Sequence, residues 1–416
     1  MVSNEPKLKM NIQKFVFIIF LGLFLLGEII RFEFGNFSIK PIDIAAVILF
    51  LTWAPQIFKK YKQNILSNNL FIPISGFIII MCFSLLFNIG NFSGNEILIA
   101  FSYILRWILY ASIFFIVKSF SSRFKKKILY LLLIVGFFIT LFGFIQYFFY
   151  SNLRNLYYLG WDEHMYRMFS TFLDPNFAGA FLVLYLIFLT GMLLFFLKNN
   201  KAKQALLMGF ILIFTLTSVY LTYSRSALIM FLTSAIIFLT LAKKIKWLIV
   251  IIGVTMLFIL ISSKSYYIEN INLFRIASSK ARIDSAKVAI EIIKNNPFFG
   301  VGFNTYRYTQ IKYGFRSTSD SSINHADAGT DNSFLFTLAT TGIVGLIFYL
   351  NLLREILKRA YINYKKFTDS DIQKYIGIIV IASFGGIIVD SLFINSLFYS
   401  FVMIWMWILL GLIENN

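Results

Sequence analysis

Apolar runs long enough to cross a bilayer alternate with short polar breaks along most of this 416-residue chain. A bilayer core takes about 20 apolar residues as a helix, because backbone groups find no water there and must bond within the segment. Twelve runs qualify, near 15–30, 42–58, 70–88, 96–117, 128–150, 176–197, 205–222, 226–242, 246–262, 333–350, 375–390 and 392–413. The last two nearly touch and could form one broken hairpin. Two stretches interrupt the rhythm, 151–175 and the seventy-residue 263–332. Loops of that length are functional or disordered, and the second is patterned, so order is expected.

Within it, 279–294 reads SKARIDSAKVAIEIIK. At helical spacing Lys280, Asp284, Lys287, Glu291 and Lys294 share one face, and Ile283, Ala286, Ala289, Ile290 and Ile293 the other. Arg282 falls on the apolar face. It either snorkels to headgroups from a helix lying on the membrane or points beneath the helix at a bound anion. Asn295, Asn296 and Pro297 stop the helix, and Gly300 and Gly302 follow as a turn.

Composition agrees with the pattern. Hydrophobic residues make up 59%, charged residues only 14%, and Phe occurs 50 times, which sets the chain apart from soluble, disordered and fibrous proteins. The fold class expected is an all-α polytopic membrane protein of about twelve transmembrane helices. It divides into N-terminal membrane helices with the first outer loop (1–175), central helices (176–262), a large outer loop (263–332) and C-terminal helices (333–416). Cys82, alone of its kind, excludes an intrachain disulfide and cysteine-based metal centres. No small-residue cleavage site follows 15–30, so the first span is expected to be retained.

The net charge of +19 does not imply nucleic acid, because the basic residues form short clusters between apolar runs. With the N-terminus inside, twenty-three Lys and Arg fall in inside segments and five in the short outside ones. That asymmetry predicts cytoplasmic termini and places 151–175 and 263–332 outside the cell.

Three groups of residues carry chemistry. Arg225 stands in YSRSAL at the outer end of the eighth run, as an interfacial anchor or a site residue. Arg167 precedes Asp174, Pro175 and Asn176, where Asp-Pro also reads as an ordinary helix start. His325, Asp327 and Asp331 crowd the entry to the tenth run, and Asp331 could equally cap that helix. Asp320, His325, Asp327 and Asp331 are hard-ligand types, but their spacing matches no metal motif. Asp369-Ser370-Asp371 reads as a solvated inside loop. Arg106 lies mid-span and is expected to pair with Glu28 or a phosphate. Phosphate-loop, nucleophile-elbow and zincin motifs are absent from the sequence.

Together these segments resemble the O-antigen ligase/polymerase superfamily. The residues that carry the likeness are Arg167 with Asp174-Pro175-Asn176, Ser224-Arg225-Ser226, Arg282 with NNPFFGVGFNTY, and DNSFLFTLATTGIVG followed by Asp390. The resemblance spans about 167–390; the earlier runs match only in character. It implies a GT-C-like glycosyltransferase acting on undecaprenyl-pyrophosphate-linked glycans at the outer face of the plasma membrane, with inversion. Ligases of the family place a histidine in H-N-x-x-L at the start of the late helix; here the position is Asp331, in D-N-S-F-L. That departure favours a Wzy-like polymerase of O-antigen or capsule repeat units over a ligase or a protein oligosaccharyltransferase.

The chemistry suits the residues. A pyrophosphate leaving group needs fixed cations, and arginine forks grip phosphate without a metal. Arg225 and Arg282, with Arg167, are the expected pyrophosphate ligands, and Asp331 the base for the acceptor hydroxyl. Secondary candidates are His325, Asp174, Asn176, Asn332 and Asp390. No cofactor or metal is expected. The partners expected are the lipid-linked donor and acceptor, membrane lipid and a chain-length regulator protein. A flippase of lipid-linked oligosaccharide is the competing class, although transporter sites lie near the membrane midplane.

Overall fold

The computed structural model describes residues 5–34, 37–56, 70–262, 271–273, 275–316 and 328–413. Its helices are α1 (Glu5–Leu23), α2 (Pro41–Gln56), α3 (Phe71–Phe87), α4 (Gly94–Ser119), α5 (Ser122–Phe149), α6 (Pro175–Lys198), α7 (Ala202–Leu221), α8 (Arg225–Leu241), α9 (Leu248–Ser262), α10 (Ala277–Asn295), α11 (Tyr306–Lys312), α12 (Ser333–Lys366), α13 (Ile372–Asp390) and α14 (Ser400–Leu412). Strands β1 (Phe32–Phe34) and β2 (Phe37–Ile39) pair antiparallel, with Glu33 opposite Ser38. Six helices, α4, α5, α6, α7, α12 and α13, are long and apolar enough to cross a membrane, and α1, α2, α3, α8, α9 and α14 are shorter apolar helices. This fits a polytopic membrane protein.

α6 runs through the centre. Its residues from Ala180 to Leu189 are buried all round, which is why its sequence is apolar on every face. Trp405 of α14 packs edge-on against Phe181, Tyr185 and Phe188, at ring distances of 5.1, 6.2 and 5.8 Å. By contrast, α7 and α9 leave large side chains such as Phe210 and Ile249 exposed, as expected of helices facing lipid.

The apolar run at 333–350 proves to be the first half of a 34-residue helix, broken at Gly342, whose φ is 67° and ψ −173°. The break is filled by the segment that follows α10. Ile343 N–H donates to Pro297 O at 2.9 Å, while Val301 and Gly302 N–H donate to Ala339 and Thr340 O, each at 3.0 Å. Ser84 of α3 donates to both Phe299 O and Thr340 O, at 2.6 and 2.7 Å. Non-helical backbone inside a membrane bundle is tolerated where protein supplies its partners. Glycine is required at 342: a Cβ there would lie 2.1 Å from Phe298 O.

α10 corrects the expected helical face. Ala289 and Ile292 are its buried positions, whereas Ile283 and Ile290 are 57% and 45% exposed. The inward side is set by packing on α12 rather than by the widest apolar arc. Arg106 is also corrected: it pairs with Asp43 at 3.0 Å rather than with Glu28, which is held by Lys40 at 2.5 Å.

Candidate functional site: a cationic cavity at converging helix ends

The first turns of α6, α10, α12 and α14 face one cavity of about 700 Å³, through Asn176 and Phe177, Ala277 and Ser278, Phe336, and Ser400 and Met403. Helix starts carry the positive end of the macrodipole, and those of α10 and α14 have no side-chain cap, so their convergence favours an anion.

Asp174 caps α6 as the Asp-Pro pattern suggests. Its Oδ1 accepts from Asn176 N–H at 2.6 Å and Phe177 N–H at 3.3 Å, and His164 Nε2 lies 3.7 Å from Oδ2. Burial pushes this carboxyl up, but His164, the Asn176 N–H and Arg167 outweigh it and hold the pKa below its usual value.

Arg167 is buried, and its Nε donates to Thr222 O at 2.8 Å. Its Nη2 reaches Asn176 Oδ1 at 3.3 Å, and that oxygen also accepts from Ser224 Oγ at 3.0 Å. Arg275, buried as well, donates from both terminal nitrogens to Tyr223 O at 3.3 Å. Burial and the neighbouring Arg275 push the Arg167 pKa down to about 9, with Arg282 and Arg225 adding to the repulsion and Asp174 opposing it.

Arg282 lines the cavity from the inward side of α10. Arg225 stands one step back: its Nη2 donates at 2.6 Å to Ser278, which does line the cavity. Four guanidiniums from three stretches of sequence are thus close enough to repel one another.

Asp331 also lines the cavity. It does not cap α12. Asn332 does, accepting from Phe334 and Leu335 N–H at 2.8 and 2.9 Å. The Asp331 N–H donates to Ser285 Oγ of α10 at 3.3 Å. Burial raises the Asp331 carboxyl above the usual range; Arg282 pulls it back, and Asp174 and Asp162 push it further up.

The structure therefore gathers Arg167, Asp174, Asn176, Arg282 and Asp331 around one space, with Arg225 one contact behind. Asn332 is a structural cap. Asp390 lies behind the site, fully buried near Ser226 and Ser396, with neither carboxylate oxygen in a hydrogen bond of normal geometry. Asp320, His325 and Asp327 lie outside the described residues.

Sequence reasoning missed Arg275, His164 and a wall made by Glu28, Arg31, Lys40, Trp161 and Tyr399. Arg275 did leave a signal, as an arginine just ahead of the helix that carries Arg282.

A polytopic helical membrane protein with a cationic cavity at converging helix starts is the class these features define. Residues 210–350 match the model of the family described as O-antigen ligase, a segment holding Arg225, Arg275, Arg282 and Asp331. The match covers about a third of the chain and supports the O-antigen ligase/polymerase superfamily, whose members are membrane glycosyltransferase-like enzymes. No curated protein matches the chain.

Proposed function

We propose that this protein polymerises undecaprenyl-pyrophosphate-linked oligosaccharide repeat units, as an O-antigen or capsular polysaccharide polymerase of the plasma membrane. The observation that carries the reading is the set of four arginines, Arg167, Arg225, Arg275 and Arg282, grouped around a cavity into which Asp331 faces. Twelve spans, cytoplasmic termini and a cavity open to the outer face belong to the same reading, supported by the charge asymmetry of the loops.

In the transfer, an acceptor sugar hydroxyl attacks the anomeric carbon of the donor glycan. The bond from that carbon to the pyrophosphate oxygen breaks, and its electron pair leaves with the pyrophosphate. Arg275 and Arg282 receive the growing negative charge, with Arg167 behind them and Arg225 holding the start of α10 through Ser278. Fixed donors in a site that excludes water stabilise such charge without reorganising. Asp331 takes the hydroxyl proton, and its raised pKa makes it the stronger base once ionised. The arginines supply the electrostatics that a metal supplies in other glycosyltransferases, so metal independence is part of the proposal.

The family description favours a second reading, a ligase that transfers a finished glycan once to another acceptor. Incubating purified protein with lipid-linked repeat units separates the two. A polymerase produces a ladder of products from these units alone, whereas a ligase needs a separate acceptor and yields one added glycan. Absence of both products sinks the glycosyl-transfer reading.

A further inference from the structure

The cavity has a second wall with different chemistry, and what it binds follows from how its charges are arranged. Lys40 donates to Glu28 at 2.5 Å, and Arg31 lies 3.6 Å from Glu28 and 3.1 Å from Glu33. Arg106 pairs with Asp43 at 3.0 Å and donates to Ser38 O. Three cations meet three carboxylates, so an incoming phosphate gains little here, in contrast to the arginine group. Fixed, internally neutralised ions still offer N–H directions and lone pairs to neutral hydroxyls.

The same cations lie against aromatic rings. Arg31 sits 5.4 Å from the Trp161 ring and Arg106 4.7 Å from the Tyr103 ring. Tyr399 stacks on Phe177 at 4.1 Å. The Tyr399 hydroxyl lies beside the buried Glu28 carboxylate, which ties this ring to the same set of ions. Ring faces interleaved with a few placed polar groups suit an uncharged, hydroxyl-bearing ligand. At about 700 Å³ the cavity has room beyond a pyrophosphate.

We infer that this wall is the acceptor subsite, where the sugar that receives the chain packs on Trp161 and bonds to Glu28 and Arg31. The inference rests on the glycosyl-transfer reading of the cavity. It assigns the two substrates to different walls: the lipid pyrophosphate to the arginines, the receiving glycan to the paired ions and rings.

The test measures two ligands separately by calorimetry on the full-length protein in detergent. One is undecaprenyl pyrophosphate. The other is the repeat-unit oligosaccharide released by mild acid from the lipid fraction of producing cells. Trp161→Ala should weaken oligosaccharide binding about tenfold and leave undecaprenyl pyrophosphate binding unchanged, which also certifies the fold. Arg31→Lys, which keeps the charge beside Glu28 but loses the fork, should act in the same direction, and Arg275→Lys in the opposite one. Parental oligosaccharide affinity in both Trp161→Ala and Arg31→Lys overturns the assignment, as does equal loss of the two ligands. If the parental protein binds undecaprenyl pyrophosphate but no oligosaccharide, the acceptor wall alone falls. If it binds neither, the underlying reading falls with it.

Discussion

Asn332 Oδ1 takes the N–H groups of Phe334 and Leu335 at 2.8 and 2.9 Å, and with the cap of α12 filled in this way the carboxylate of its neighbour Asp331 is left to the cavity. The two residues should separate cleanly on mutation. Asp331→Asn is expected to lower transfer by about two orders of magnitude or more with the unfolding midpoint little changed. Asn332→Ala should cost about 1 kcal/mol of stability and keep most activity. Assays of ladder formation and thermal unfolding on both variants check this, and an active Asp331→Asn would remove the base.

Acidity should act through the same carboxyl. Burial places the Asp331 pKa above the ordinary carboxylate value, and only the ionised form accepts a proton, so transfer should rise with pH through a midpoint above about 4. Stability runs the other way. A raised carboxyl pKa favours the fold below the unfolded-state value, and that contribution is lost as pH climbs through the folded-state value. In Asp331→Asn this falling contribution disappears, so stability should rise more steeply with pH along the acid limb. An unchanged acid limb would show that another group sets it.

The arginines should fail as lysines. Arg225→Lys, Arg275→Lys and Arg282→Lys keep the charge but lose the fork; Arg275→Lys and Arg282→Lys should each cost about a hundredfold in rate, and Arg225→Lys, which acts through Ser278, less, all with normal membrane insertion. Undecaprenyl pyrophosphate at a hundredfold excess over its Kd should stabilise the parental protein by about 2.7 kcal/mol, and less in Arg275→Lys at the same concentration. Parental rates in all three lysine variants would make these residues interfacial anchors.

Gly342 should tolerate no side chain. Gly342→Ala puts a Cβ 2.1 Å from Phe298 O at a φ of 67°, so the folded yield should fall sharply. Gly209→Ala on α7, where a Cβ meets nothing within 4 Å, is the control and should gain up to about 1 kcal/mol from helix propensity. Yield in detergent and thermal unfolding of the pair give the comparison.

Topology can be read by thiol labelling. In a Cys82→Ser background, Lys287→Cys on α10 and Lys365→Cys at the end of α12 should label from opposite sides with a membrane-impermeant reagent. Both positions are exposed, unlike Gly300, which packs against Thr340. Labelling from one side would break the proposed orientation.

Each of the twelve apolar runs meets a helix, because the need to bond backbone groups internally leaves its mark on every residue of a run. Where the sequence left two readings, geometry decided. Asp331 and Asn332 are both good caps by type, and only the backbone of α12 shows which one is used. Hydropathy does not register φ, so the break at Gly342 lay hidden in an apolar stretch. Arg106 chose Asp43 over Glu28 because the β1–β2 hairpin and α2 bring Asp43 and Ser38 to it. The arginines and Asp331 were legible as rare polar residues beside apolar runs. Trp161, Arg31 and Tyr399 were not, since their meaning lies in joining segments far apart in the chain.

The segment 297–302 and the turn at 339–344 complete each other's hydrogen bonds, so neither is a portable module. A chimera that exchanges the segment ahead of α12 between relatives, cut at the start of α12, would graft a foreign plug onto a native gap. Exchange should succeed when both stretches travel together with Ser84 and Asn88 of the α3 end, which hold the plug from the other side. During biosynthesis, segment 297–302 is made before α12, so its backbone groups find their partners only once α12 has followed it. Segment and helix therefore settle as one unit of assembly rather than two, with α13 and α14 still to follow.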